Sequence, residues 1–480
     1  MTSPFPSPTK PSPLFIYAIV GGGIAGLAAA YQAALLAREQ GWSPSQIVLY
    51  EATPRLGGKI TTERVDGFVI EGGPDTFLAT KPWAVELCRE LDLAERLHGT
   101  NPHQRATYVL HRGRLEPLPD GLTMMIPTRF GPMLRTRLLT WPQKARMGLD
   151  FFLPPRRDEG DESLGAFVSR RLGRAAYERL IEPLMSGIYA GDGDRLSVLA
   201  TFPYLRELER QHGGLIRGAL AMRRKMGRRA PGSRSAFLTP TTGLAEIVEA
   251  LVDFLHREGV QLRVGVPVLR VQAGPRGYAL ETPEGLVPAQ RVVLATPAYV
   301  TAALVADLAP NLAAPLREIP YVTTATVSLA YRASDLPRPL DGYGYVIPRK
   351  EGRAALACTW SSTKFPHRAP EGYALLRVFI GRAGQEDDLP WDEAGLLEVA
   401  RREVRQTLGI TAPPVLQRVF LWPRAMPQYN LGHLERLARI EQALTRWPGL
   451  ALAGNAYRGI GLPDCIRSGR EAVRELGIRS

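Results

Sequence analysis

The chain has 480 residues, 45% of them hydrophobic and 22% charged, which excludes collagen, wholesale disorder and a multi-span membrane protein and allows two or three domains. The net charge is +13, and only seven of the 60 basic residues are lysines. That excess fits an acidic ligand, a nucleic acid or an anionic membrane surface, and equally an arginine-rich genome.

Residues 1–13 hold five prolines among Ser and Thr and read as a disordered leader. Residues 14–37 carry no charge, which resembles a signal peptide or a membrane span, but Gly21 to Gly23 interrupt the stretch. It reads better as a strand over 14–20, a glycine turn, a helix over 24–40 and a second strand over 47–50 ending at Glu51. That order is a βαβ unit. Further on, 83–93 suggests a helix, 111–118 a hairpin arm, and 122–155 shows no clean period. A helix over 164–184 is expected to be interrupted at Pro183. The basic run Arg223-Arg224-Lys225 with Arg228 and Arg229, followed by Pro231-Gly232-Ser233, reads as a solvated loop.

Residues 245–258 form an amphipathic pattern, with Ile247, Leu251, Val252 and Leu255 at helical spacing. Strand signals follow at 261–264, 268–272, 278–282, 291–295, 322–331 and 374–380, with a helix over 393–407. A small-residue strand at 451–453, a glycine turn and a helix over 463–476 close the chain. Nucleotide-type elements thus occur at the start, in the middle and at the end. They predict an α/β chain whose first domain is assembled from separated segments. Cys88, Cys358 and Cys465 form no C-x-x-C pair, so neither a disulfide framework nor a metal site is expected, and a reducing compartment is.

Gly21-Gly22-Gly23-Ile24-Ala25-Gly26 fits G-x-G-x-x-G between a strand and a helix. The first glycine makes the turn, the second admits a pyrophosphate and the third packs helix on strand. Glu51, at the end of the second strand, is placed to accept hydrogen bonds from a ribose. A glycine-kinked core helix would leave that placement to chance. Arg55-Leu56-Gly57-Gly58-Lys59 and Glu71-Gly72-Gly73-Pro74 add glycine pairs suited to a backbone pressed against phosphate or flavin. Leu452-Ala453-Gly454-Asn455-Ala456-Tyr457, then Gly459, Gly461, Leu462, Pro463 and Asp464, lead into the last helix.

The Arg55–Lys59 element resembles the segment after the ribose carboxylate in flavoproteins of the amine oxidase and phytoene desaturase group. Leu180-Ile181-Glu182-Pro183-Leu184-Met185-Ser186-Gly187-Ile188-Tyr189-Ala190-Gly191-Asp192 is similar to a signature of the porphyrinogen oxidases within that group. So are Pro423-Arg424-Ala425-Met426-Pro427-Gln428-Tyr429 with Gly432-His433, and the run from Gly454-Asn455 to Asp464-Cys465. Gly72-Gly73-Pro74-Asp75-Thr76-Phe77-Leu78 with Lys81 looks most like the soluble Gram-positive branch, which oxidises coproporphyrinogen III. Protoporphyrinogen IX stays open as the substrate.

The resemblance implies a Rossmann-type FAD domain over 14–80, 235–300 and 440–480. It also implies a mixed-sheet substrate domain over 100–120 and 301–430 and a helical lobe over 121–220. FAD would be lined by Gly21, Gly22, Gly23, Ile24, Ala25, Gly26, Glu51, Ala52, Arg55, Gly57, Gly58, Lys59, Gly72, Gly73, Pro74 and Asp75. Val268, Trp422, Gly454, Asn455, Gly461, Leu462 and Pro463 would complete that lining. Lys81 would reach a substrate propionate and Ile188 would press on the tetrapyrrole. The implied reaction is a six-electron oxidation by dioxygen, giving hydrogen peroxide, with no acid–base residue assigned. The implied setting is the cytoplasm, peripheral on the inner face of the membrane, with hand-over to a ferrochelatase and no nucleic acid. Another flavin amine oxidase, a carotenoid desaturase and a non-catalytic porphyrin-binding flavoprotein remain alternatives. His433 has no partner visible in sequence and reads as structural.

Overall fold

A computed structural model describes residues 14–123, 126–227 and 235–478. The leader expected over 1–13, and Arg228, Arg229 and Pro231-Gly232-Ser233, lie outside the described residues.

The apolar run Phe15–Val20 forms the first strand, β1, and is buried along nearly its whole length. Gly21, at φ 107°, turns the chain into helix α1, Ile24–Gln40. Alanine-rich α1 is buried nearly all round, as a helix apolar on every face must be. Gly41, at φ 74°, caps it, and the chain returns as β2, Ile47–Glu51.

These elements found a seven-stranded sheet. Its order is Gln261–Val264, β2, β1, Gly285–Leu294, Gly277–Thr282 and Arg270–Gly274. The long strand Gly285–Leu294 lays its first half against Gly277–Thr282. Its second half lies against Leu450–Leu452, which completes the sheet. The helices Ala245–Arg257 and Leu462–Ile478 share a core with α1 on one face. The helices Ala298–Leu304, Pro310–Arg317 and His433–Leu444 pack on the other. The boundaries expected at 300 and 440 therefore cut through packed helices. This first body runs on to about Ile319 and resumes at His433.

A second seven-stranded sheet is ordered Leu416–Pro427, Tyr321–Arg332, Tyr373–Ile380, Ala355–Trp360, Gly342–Val346, Ala106–His111 and Arg114–Pro117. It is mixed, because Gly342–Val346 runs parallel to Ala106–His111. Helix Glu393–Leu408 covers one of its faces.

Between residues 126 and 227 the chain is mainly helical around its own apolar core. Two expectations are corrected there. Pro183 does not interrupt a helix. A π-turn at Tyr177–Ile181 precedes it, and Pro183 sits in the first turn of Glu182–Tyr189, where no N–H is required. The basic run does not begin as a loop. Arg223 and Arg224 continue helix Leu215–Gly227, because Leu215, Ile216 and Ala219 keep an apolar stripe in the core.

A buried network ties the hairpin of Thr62–Val65 and Phe68–Glu71 to the start of helix Ala245–Arg257, to strand Phe237–Pro240 and to Arg368, which lies ahead of strand Tyr373–Ile380. Glu71 accepts from Thr62 Oγ1 at 2.6 Å, Leu244 N at 2.7 Å and Arg368 Nη1 at 2.8 Å. Arg368 also donates to Thr239 Oγ1 at 2.6 Å. Burial pushes the Glu71 pKa up, against the pull of Arg368.

Candidate active site

Two helix N-termini open on the carboxyl edge of the first sheet. The first belongs to α1, whose start has no side-chain cap and no acidic residue in its first turn. Its leading N–H groups therefore face the crevice, a ready site for phosphate. Glycine is dictated by contact as well as by φ. A Cβ on Gly26 would run into Gly21 O, whereas one on Gly23 would meet nothing nearer than Gly58 Cα at 4.0 Å. Gly57 N donates to Gly22 O at 2.8 Å, which lays the second glycine pair beside the first.

Glu51 closes β2. It accepts from Gly22 N at 2.7 Å, Thr53 N at 2.9 Å and Thr53 Oγ1 at 2.7 Å. Arg55 donates to the carbonyls of Leu56, Gly58 and Ile60, so it stiffens the loop from within. Ala52 is exposed beside it. Val268 lies past the end of the strand Gln261–Val264, next to Gly265 and Val266, whose N–H groups bond Thr53 O and Glu51 O at 3.0 Å. Val268 itself makes no backbone hydrogen bond among the described residues, so its peptide is available to a ligand.

The second N-terminus belongs to Leu462–Ile478. Gly469 brings this helix hard against α1, since a Cβ there would run into Ala25 O. The loop before it is braced from below. Tyr429 Oη donates to Asn455 O at 2.6 Å and accepts from Gly459 N at 3.0 Å. His433 stacks on the Tyr429 ring at 4.1 Å and donates from Nε2 to Tyr457 O at 2.9 Å. Burial pushes the His433 pKa down to about 4, which keeps the ring neutral. Gly454, at φ 119°, leaves open space where a side chain would stand.

Lys59, Lys81, Asp464 and Cys465 converge at this terminus. Lys59 makes no hydrogen bond or ion pair among the described residues, and burial pushes its pKa down. Cys465 is held up at about 12 by burial, so it is a neutral thiol. Lys81, expected to reach a substrate propionate, brings its Nζ to Asp464 Oδ2 at 2.5 Å. Ile188 is 46% exposed at the end of its helix, not part of the core. Its neighbour Tyr189 feels the Asp464 charge.

The loop Gly72 to Asp75 lies between the sheets. Its carbonyls are taken by the second sheet. Thr326 Oγ1 and Trp422 Nε1 donate to Gly72 O at 2.7 and 2.8 Å, and Arg377 Nη2 donates to Gly73 O. Trp422 thus supports the loop. Asp75 is turned away into an ion cluster. Burial alone would raise its pKa, but Lys364, 3.1 Å away, and Arg377 hold it at about 2.

Sequence reasoning missed Thr326, Arg377, Tyr429 and Asp464 as supports of this site. A cation inside the apolar strand Tyr373–Ile380 was a usable signal for Arg377. The partners of the other three come only from tertiary contact.

An uncapped helix start, a crevice kept open by glycines, a strand-end carboxylate and an unpaired lysine at a second helix start together fit a flavin nucleotide. The geometry fits a nucleotide-binding flavoprotein with a second sheet packed beside the site. The sequence profile of the family described as flavin containing amine oxidoreductase matches residues 24–477. A coproporphyrinogen III oxidase of Bacillus subtilis (strain 168) is 36% identical over 95% of this chain and 97% of its own. A chloroplastic protoporphyrinogen oxidase of Oryza sativa subsp. japonica is 32% identical over 95% of this chain and 87% of its own. A solved structure from Exiguobacterium sp. 255-15 superposes with a TM-score of 0.84 at 35% identity, covering 97% of this chain and 99% of that one. The chain belongs to the flavin-containing amine oxidoreductases and, within them, to the porphyrinogen oxidases.

Proposed function

We propose that this protein is an FAD-dependent oxidase that converts coproporphyrinogen III to coproporphyrin III in haem biosynthesis. The overall reaction removes six hydrogens from the macrocycle. With dioxygen as acceptor it consumes three O2 and releases three H2O2. The observation that carries the reading is the pairing of two helix N-termini in one crevice, with Lys59 and Lys81 beside the second. Bound flavin would supply a two-electron acceptor.

In this reading Gly21 to Gly26 hold the pyrophosphate, Glu51 the ribose and the Val268 backbone the adenine. Lys59, Gly57, Gly58, Gly72 to Asp75, Trp422 and the segment from Gly454 to Pro463 surround the isoalloxazine. The start of the last helix faces its pyrimidine end and favours negative charge there. The first body is the FAD domain and the second sheet the substrate domain. Lys81 meets a propionate and Ile188 the tetrapyrrole face. Porphyrinogens are electron-rich, so orientation in an apolar slot carries the catalysis without a strong base. Coproporphyrinogen is favoured by the sequence after Gly72-Gly73-Pro74 and by the higher identity to the Bacillus relative.

No helix among the described residues is long and apolar enough to cross a membrane. Phe130, Leu134, Trp141, Leu149 and Phe152 are exposed on the helical lobe. With Arg135, Arg137 and Lys144 among them, they suit peripheral contact with an anionic membrane, from which product would pass to a ferrochelatase.

The test is a paired initial-rate assay on FAD-loaded protein with coproporphyrinogen III or protoporphyrinogen IX. Porphyrin fluorescence, oxygen uptake and peroxide are followed together. A faster rate with the first and about three peroxides per porphyrin support the reading. A preference for the second reassigns the substrate, and no rate above the enzyme-free control overturns it.

A further inference from the structure

We infer that Asp464 is the positioning residue of Lys81: it fixes the ammonium at the rim of the cleft so that its remaining N–H groups receive a substrate carboxylate. This rests on the reading that Lys81 faces the substrate. The two residues come from opposite ends of the chain. Lys81 caps helix Pro82–Glu90, and Asp464 lies in the first turn of Leu462–Ile478.

The pair is asymmetric. The Asp464 side chain is 5% exposed, whereas that of Lys81 is 39% exposed. The carboxylate is held on the protein side. A Cβ on Gly459 would stand 2.5 Å from Asp464 Cγ, and one on Gly461 would stand 3.0 Å from its Oδ2. The glycine loop therefore packs directly on the carboxylate and fixes its direction. The Asp464 side chain makes no other hydrogen bond among the described residues. A carboxylate in the first turn of a helix is stabilised there even without a cation. Asp464 thus anchors the lysine more than the lysine anchors it. A free lysine rotates over many conformers, and holding it in one lowers the entropy cost of capturing a ligand.

An ammonium has three donors, and Asp464 occupies one of them. The Lys81 backbone N–H bonds Leu78 O at 3.4 Å and does not compete. Two donors are left on Nζ and the side chain is 39% exposed, so a carboxylate can be bonded without displacing Asp464. Asp464 keeps its bond while the free donors take the ligand, so Asp464, Lys81 and a substrate carboxylate form a three-member arrangement. Lys59 adds a second positive charge near the same terminus, so the local balance still favours an anion.

The test uses holoenzyme carrying Asp464→Asn, Lys81→Met or both, with coproporphyrin III binding read from fluorescence quenching beside steady-state kinetics. Lys81→Met is expected to weaken binding about tenfold and Asp464→Asn about fivefold. Asp464→Asn is expected to raise KM more than it lowers kcat. Placed in the Lys81→Met background, Asp464→Asn is expected to add nothing, because its effect runs through the lysine. Losses that multiply in the double variant, or unchanged binding by Asp464→Asn, would overturn the positioning role while leaving the substrate reading intact. If the unmodified protein neither binds coproporphyrin III nor oxidises the porphyrinogen, both fail. Should Asp464→Asn lose its flavin, Asp464→Ser, compatible with a first helical turn, is judged by the same criteria.

Discussion

His433 shows how a single side chain can set the acid limit of a cofactor site. Its pKa is about 4 in the fold and about 6.5 in an unfolded chain. The unfolded state therefore binds more protons between these values, so stability is complete above pH 6.5 and falls as the pH drops towards 4. The loss expected from this residue between pH 7.5 and pH 5 is about 2 kcal/mol. His433→Phe keeps an aromatic ring against Tyr429 and removes the proton site. Its melting temperature should start lower, since the bond to Tyr457 O is gone, and should fall less steeply between those pH values. An equally steep fall in both proteins would assign the acid sensitivity elsewhere. Lys81 poses a second question at this scale: Lys81→Ala should raise KM more than it lowers kcat, and unchanged steady-state constants would remove Lys81 from the substrate site.

At the scale of elements, the contact of α1 with the last helix depends on Gly469, and the clamp on the Gly72 loop depends on strands of the second sheet. Gly469→Ala should separate the helices, costing about 1–3 kcal/mol and increasing flavin loss on dilution, read as free-flavin fluorescence. Thr326→Val should be mild, because Trp422 still donates to Gly72 O. Adding Trp422→Phe leaves a buried carbonyl without a partner, and the double variant should lose about 1–3 kcal/mol beyond the sum of the single changes. Simple additivity in urea unfolding would show that the two donors act independently. The elements themselves were legible where the sequence is locally decisive. The βαβ unit, the amphipathic helix from Ala245 and the glycine motifs follow from period, turn chemistry and close backbone approach. The π-turn before Pro183 and the extension of a helix into Arg223 and Arg224 were not, because packing on a distant core decided them. Lys81 was singled out from the sequence as a candidate substrate contact, yet Asp464, its partner 383 positions away, has no local signature.

For the whole molecule, the charge of +13 should act on encounter more than on the bound state. Raising salt from about 0.05 M to about 0.5 M should lower kcat/KM for a tetracarboxylate porphyrinogen several-fold, chiefly through association. An equal kcat/KM in stopped-flow and steady-state assays at both salts would show that long-range attraction contributes nothing. The buried network around Glu71 and Arg368 also belongs to this scale. Arg368→Met strands a buried carboxylate and should cost about 3–5 kcal/mol, whereas surface pairs such as Arg458 with Glu441 should contribute under about 1 kcal/mol.

The first sheet is completed by Leu450–Leu452, and the crevice is walled by the helix that follows. During synthesis a ribosome delivers these elements after all the other parts of both sheets. Strands β1 and β2 emerge hundreds of residues before the strand and helix that finish their sheet. A nascent chain can therefore gather its helical lobe and its second sheet first, but it has no complete crevice to close on a nucleotide until the helix Leu462–Ile478 has been made. Cofactor loading should then be a late event, and chains stalled before residue 450 should carry no flavin however well their other parts have folded.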